Sequence, residues 1–200
     1  GGEIEGDRRK KNQIKHRYLI TLDCDEITPD ILEDIRIGVN PICRFEFVLH
    51  STRKHQATKP RIRIFLLCES PVEPDQYDAV ARILAEMIDP TMDSIDDVSF
   101  RLAQMMFRPS ASRDQEYLYW HNPGERVNAP EVLESFRLDW RDYRNLPYSE
   151  ARGQRRKTAD KAEDPTQKHG PVGAFCRAYD LEGAMEEFIP EVYLPGDTSG

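Results

Sequence analysis

Residues 18–26 read Tyr-Leu-Ile-Thr-Leu-Asp-Cys-Asp-Glu, and this run constrains the chain more than any other. It predicts a strand over 17–23 that ends in two carboxylates one residue apart, Asp23 and Asp25. Side chains at i and i+2 of a strand leave the same face, so both acids aim at one spot. Like charges held that close repel, and a hard divalent cation with oxygen ligands is the usual relief. The same pattern occurs in nucleotidyl transferases, glycosyltransferases, phosphatases and nucleases. It also occurs in plain turns, where Asp bonds its own backbone.

The neighbouring sequence supplies the rest of a sheet. Thr28 is a candidate N-cap with Pro29 at the first helical position, and the helix runs to about Ile37. Residues 43–50 place Phe45, Phe47 and Leu49 on one strand face, and residues 62–68 make a second strand. A basic, hairpin-like segment, 51–61, separates them. Residues 70–74 read as a turn into an amphipathic helix at about 75–89, with Tyr77, Val80, Ile83, Leu84, Met87 and Ile88 on its apolar stripe. Further strands are predicted around 103–107 and at 116–121, with short helices at 130–136 and about 180–189. Residues 1–12 read as loop-like or disordered. Strands and helices mix without strict alternation, which favours α+β with an antiparallel or mixed sheet. The expected organisation is a body at 1–145, a polar linker at 146–170 and a short helical segment at 171–200.

Two hundred residues with 38% apolar content suit one ordinary domain with an appendage. No apolar run reaches the roughly 18 residues of a membrane-spanning helix, and no signal peptide opens the chain. Four cysteines without CxxC pairing read as reduced thiols rather than disulfides or zinc ligands. The opening Gly1-Gly2, without Met, suggests a fragment of a longer polypeptide. A net charge of −8 argues against a simple polyanion-coating protein. Its distribution says more: residues 50–63 hold five Lys/Arg and no acid, whereas residues 69–97 hold nine Asp/Glu against Arg82 alone. Residues 8–17 and 152–157 are further basic clusters, and a basic stripe on an acidic body suits a confined phosphate site.

Three segments are thus candidates to converge. One is Asp23 and Asp25; another is Ser51-Thr52-Arg53-Lys54-His55 with Lys59, Arg61 and Arg63; the third is Ile95-Asp96-Asp97. Arg61 and Arg63 share a strand face, where two guanidinium forks match phosphate oxygens. Acids that hold metal beside bases that hold phosphate are what phosphoryl or nucleotidyl transfer requires. Each piece also has a plainer role. His55 fits a surface turn, the two arginines fit a solvent-facing strand edge, and Asp96 and Asp97 fit a cap.

The ordered run LITLDCDE, HSTRKHQATKPRIRIFL, PDQYDAVARILAEMID and DDVSFRLAQMMFRPSAS resembles the archaeo-eukaryotic primase (primase-polymerase) domain. It is most similar to the version at the start of phage and prophage virulence-associated E-type replication proteins. The likeness covers roughly residues 1–145, and the tail GPVGAFCRAYDLEGAMEEFIPEVY resembles the segment joining that domain to a downstream helicase. The resemblance implies an archaeo-eukaryotic primase fold with an RRM-like sheet and template-directed nucleotidyl transfer in phage or mobile-element replication. Asp23, Asp25 and Asp96, with Asp97 as runner-up, would be catalytic and bind two divalent ions, Mg²⁺ or Mn²⁺. Ser51, Lys54, His55, Arg61 and Arg63 would bind the nucleotide. The basic clusters 8–17, with Arg8, Arg9, Lys10 and Lys11, and 152–157 are candidates to hold a single-stranded DNA template, with Tyr117, Tyr119, Trp120 and Trp140 as less favoured stacking partners. NTP or dNTP substrates, a helicase domain downstream on the same polypeptide, no membrane partner, and the cytoplasm of a bacterial host complete the expectation. Two alternatives stay open: a non-catalytic nucleic-acid-binding initiation module, and a transferase that holds a nucleotide-sugar through Asp-x-Asp.

Overall fold

The computed structural model describes residues 2–5, 13–106, 109–110, 113–152, 171–179 and 181–188. The chain divides into two compact units, Gly1–Gly153 and Gln154–Gly200. The first is α+β, built on a five-stranded sheet of β1 (Gly2–Ile4), β2 (Ile14–Cys24), β3 (Phe47–Ser51), β4 (Ile62–Val72) and β5 (Tyr119–Asn122). Their order is β1-β2-β4-β3-β5, and every pairing between them is antiparallel.

Alternation along these strands decides which face is core. Ile20 and Leu22 of β2, Ile62, Ile64 and Leu66 of β4, and Phe47 and Leu49 of β3 are almost fully buried and belong to one apolar cluster. That cluster also takes in Ile35 of α1 (Pro29–Arg36), Val80, Leu84 and Ile88 of α2 (Tyr77–Ile88), and Val132 and Leu133 of α3 (Ala129–Ser135). Burying each such side chain contributes about 1.5–3 kcal/mol. Residues in the alternate register, Thr21, Asp23, Arg63, His50 and Tyr119, occupy the opposite face. Register pairs Asp23 with Arg63, Arg63 with His50, and His50 with Tyr119, so these four form one row across the sheet.

Local chemistry sets the boundaries. Thr28 caps α1 by accepting the Ile31 N–H, with Pro29 in the first turn, as the sequence predicts. Gly38, at φ 78°, follows that helix in the left-handed conformation glycine tolerates. Gly124 lets the chain after β5 touch residues 44–45: a Cβ there would lie 2.6 Å from the Arg44 carbonyl oxygen. The strand beginning at 43 starts later than expected, because Asn40 and Pro41 open a 3-10 turn over Pro41–Arg44.

Three expectations are corrected. Residues 2–4 are an edge strand on β2 rather than loop. Residues 70–72 continue β4 rather than turning, since Val72 still pairs with Arg17. No strand forms at 103–106: the buried Arg17 guanidinium takes the Leu102 carbonyl, which diverts the chain from the sheet. The first unit also continues past residue 145, for Leu146 and Ser149 are buried. The second unit contains α4 (Pro171–Ala178) and α5 (Leu181–Phe188), within which Phe175, Tyr179 and Phe188 rings meet at 5.2–5.9 Å.

Candidate functional site

Asp23 lies one residue before the C-terminal end of β2, on the face opposite the core, and Asp25 lies in the turn just after the strand. Asp23 is 9% exposed. Its Oδ2 accepts a 2.5 Å bond from the Arg63 guanidinium on β4, and its backbone N–H is held by Ser99 Oγ at 2.8 Å. Its other oxygen, Oδ1, is buried without a hydrogen-bond partner. Burial pushes the carboxyl above its ordinary pKa of 3.8, Arg63 pulls it back, and Asp25 and Asp96 push it up again. Two further acids therefore bear on Asp23 here.

Asp25 faces Arg61. Its Oδ2 lies 3.3 Å from that guanidinium, and its carbonyl accepts the Arg61 Nε–H at 3.0 Å. Asp96 is brought in by backbone pairing, with its N–H on the Asp23 carbonyl at 2.8 Å. It also caps the 3-10 turn Asp97–Phe100 by accepting the Val98 N–H, so the cap and cluster roles coexist. Asp97 turns toward Arg152, 3.6 Å away. Of the two candidates for third carboxylate, Asp96 is the one that bears on Asp23.

His55 is not a surface histidine. It is 4% exposed, and its Nδ1 accepts the Arg61 backbone N–H at 3.1 Å. Nε2 therefore carries the proton of the neutral ring. The Gln115 side chain braces this turn by donating to the carbonyls of Thr52 and His55. His55 lines a cavity of about 730 Å³ together with Arg53, Lys54, Lys59 and Arg61, whose four cations outnumber the carboxylates of Asp114 and Glu116. Arg61 thus belongs to both halves of the site: it grips Asp25 and lines the cationic cavity.

Arg63 serves Asp23 rather than the cavity. Ser51 is fully buried, and its Oγ accepts the Leu118 N–H at 2.9 Å, tying β3 to the approach of β5. Arg8, Arg9, Lys10 and Lys11 lie outside the described residues. Tyr117 stacks on His50, Tyr119 is well exposed, and Trp120 and Trp140 pack against the core. All four cysteines are free, and burial raises the Cys24 thiol well above 9.0 and the Cys68 thiol to about 11, so neither is a thiolate at neutral pH. Sequence reasoning missed Ser99 and Gln115, which reach the site across long sequence separations with no local pattern to mark them, and read Arg152 only as part of the basic cluster 152–157.

The donor set suits a hard divalent cation. Every candidate donor is a carboxylate oxygen, and buried Asp23 Oδ1 lacks a hydrogen-bond partner. Among the described residues no three acidic, His or Cys side chains already enclose a metal position; Asp23 and Asp25 are each turned to an arginine.

The architecture is an α+β domain with a divided polar site, acids at the end of a central strand and bases in the adjoining cavity. A family model described as the VapE N-terminal domain matches residues 1–149, and the chain belongs to that family. No curated protein matches it. Among solved structures it is similar to the AEP domain (PP-N190) of the cyanophage S-2L primase-polymerase, at 14% identity and a TM-score of 0.43. That match covers 63% of each chain, so less than two thirds of the cyanophage domain is spanned. The family assignment rests on the first of these comparisons. No helix among the described residues is long and apolar enough to cross a membrane.

Proposed function

We propose that this domain catalyses template-directed nucleotidyl transfer, as the primase-polymerase part of a phage or mobile-element replication protein acting in a bacterial host's cytoplasm. The observation that carries the reading is Arg61, which pairs with Asp25, an acid that bears on Asp23, and also lines the cationic cavity at His55. Family membership is in keeping with it.

Asp23, Asp25 and Asp96 would hold two divalent cations, Mg²⁺ or Mn²⁺, whose chemistry is to acidify the attacking 3′-hydroxyl and stabilise the departing pyrophosphate. The protein's own part is placement and charge. Arg63 orients Asp23 so that Oδ1 stays available. His55 Nε2–H donates to a triphosphate oxygen, since Nδ1 is already engaged as the acceptor of the Arg61 N–H. Lys54, Lys59 and Arg61 offset the triphosphate charge along the cavity wall. No separate protein base is required, because positioning and electrostatics supply most of the rate in such transfers. The partners in this reading are a single-stranded DNA template, NTPs or dNTPs, and a helicase domain downstream. Arg8–Lys11 are assigned to the template backbone.

The test is incubation of the full chain with single-stranded DNA, labelled nucleotides and Mg²⁺ or Mn²⁺, with and without an annealed primer. Metal-dependent extension or de novo oligomers are expected. DNA binding without product under either metal would replace the enzyme by a binding module. Turnover of a sugar nucleotide without DNA binding would replace it by a glycosyl transfer.

A further inference from the structure

The loop carrying Asp96 is gripped from a distance by the last turn of the first unit. Arg152 donates to the carbonyls of Ile95 and Asp93 and stands 3.6 Å from the Asp97 carboxylate. Ser149, itself buried, donates its hydroxyl to the Asp93 carboxylate and accepts the Arg152 N–H at 3.0 Å. One guanidinium thus takes two carbonyls on the N-terminal side of Asp96 and the acid immediately after it. Five donors in a fixed fork make Arg suited to this, as Lys is not.

The loop needs such a grip. Met92 has φ 62°, a left-handed conformation unfavourable for a residue with a Cβ, so the turn before Asp96 is strained and must be held by its surroundings. On the other side the loop meets β2 through Asp96 N–H to the Asp23 carbonyl and Asp23 N–H to Ser99 Oγ. Without Arg152, Asp93, Ile95 and Asp97 would each lose the same partner, and the loop would be left to Asp89, which accepts the Ser94 N–H, to Ser149 on Asp93, and to its pairing with β2. Arg152 touches neither Asp23 nor Asp25 in any described contact, so it acts through the loop.

We propose that Ser149 and Arg152 form a clasp that fixes Asp96 against Asp23 and so sets the divalent-cation affinity of the carboxylate cluster. This rests on the metal reading above, and Arg152 is a positioning residue. Partners that orient ligand-bearing elements typically change metal affinity by about 10–100-fold when removed.

The experiment is Mn²⁺ binding to the full chain, read as free Mn²⁺ by electron paramagnetic resonance, for wild type, R152A, R152K, S149A and D23N. Melting temperatures without metal are recorded alongside. The expected result is roughly tenfold weaker binding in R152A, partial recovery in R152K, a smaller loss in S149A, and turnover in R152A restored by excess Mn²⁺. Wild-type affinity in folded R152A would overturn the clasp while leaving the carboxylate site standing. Absence of binding in wild type, equal to D23N, would overturn both. Should R152A not fold, R152K and S149A decide: unchanged affinity in both rejects the clasp.

Discussion

The two faces of one sheet follow opposite rules. On the even face, Ile20, Leu22, Ile62, Ile64 and Leu66 lie at 0% exposure and join a single apolar cluster. On the odd face, the same two strands bury Asp23 and Arg63 and leave one carboxylate oxygen unpartnered. The first arrangement stabilises the fold. The second costs stability, because a buried charge is tolerated only when paired. The period of a strand lets one segment do both, and it lets the faces be perturbed separately.

Four substitutions sharpen that contrast, taken from the largest effect. Asp25→Ala on the odd face should lower nucleotide incorporation by about 10³-fold while the far-UV circular dichroism stays native. An unfolded Asp25→Ala would place the residue in the scaffold instead. Ile64→Ala on the even face should reverse the pattern, costing about 3 kcal/mol of stability in urea unfolding while the remaining folded fraction keeps its turnover. His55→Ala should raise the nucleotide KM by about tenfold, the scale of losing one hydrogen bond to a charged group. A kcat loss without a KM change would move His55 out of the nucleotide cavity.

The smallest effect has the most telling sign. Asp23 titrates above its ordinary 3.8 in the folded chain, so the folded state holds that proton more tightly than the unfolded state does. Its contribution to stability is fully present below 3.8 and is lost as pH rises through the raised folded value. At neutral pH the ionised carboxylate is therefore a net burden. Asp23→Asn, which can still accept from Arg63, should raise the melting temperature slightly in metal-free buffer and remove the gain that Mn²⁺ gives wild type. A lower melting temperature for Asp23→Asn at pH 7, equal to its value at pH 3, would show that the ion pair with Arg63 dominates.

The same contrast explains what the sequence could disclose. The even face was legible, because alternation of Ile, Leu and Phe needs only neighbours two residues apart. So was the cap at Thr28-Pro29, whereas β2 ends at Cys24 and puts Asp25 in the turn that follows rather than on the strand face of Asp23. The strand expected at 103–107 failed because Leu102 is committed to Arg17, a contact across 85 residues. The family resemblance made Ser51 a candidate nucleotide ligand; its Oγ accepts the Leu118 N–H, a contact that only the strand order reveals. His55 sat in a turn that reads as exposed; Gln115 and Arg61 bury it. Arg152 fell in a stretch that composition marks as linker, although its guanidinium closes on the Asp96 loop. Local patterns expose elements, whereas the site is assembled by contacts that no local pattern encodes.

The most direct measurement is primer extension on single-stranded DNA with Mn²⁺, run side by side for wild type and the isosteric Asp23→Asn, at equal folded concentration. The account predicts labelled product from wild type and none from Asp23→Asn. Equal product from both proteins would contradict it, because the buried carboxylate at the end of β2 would then have no part in the chemistry.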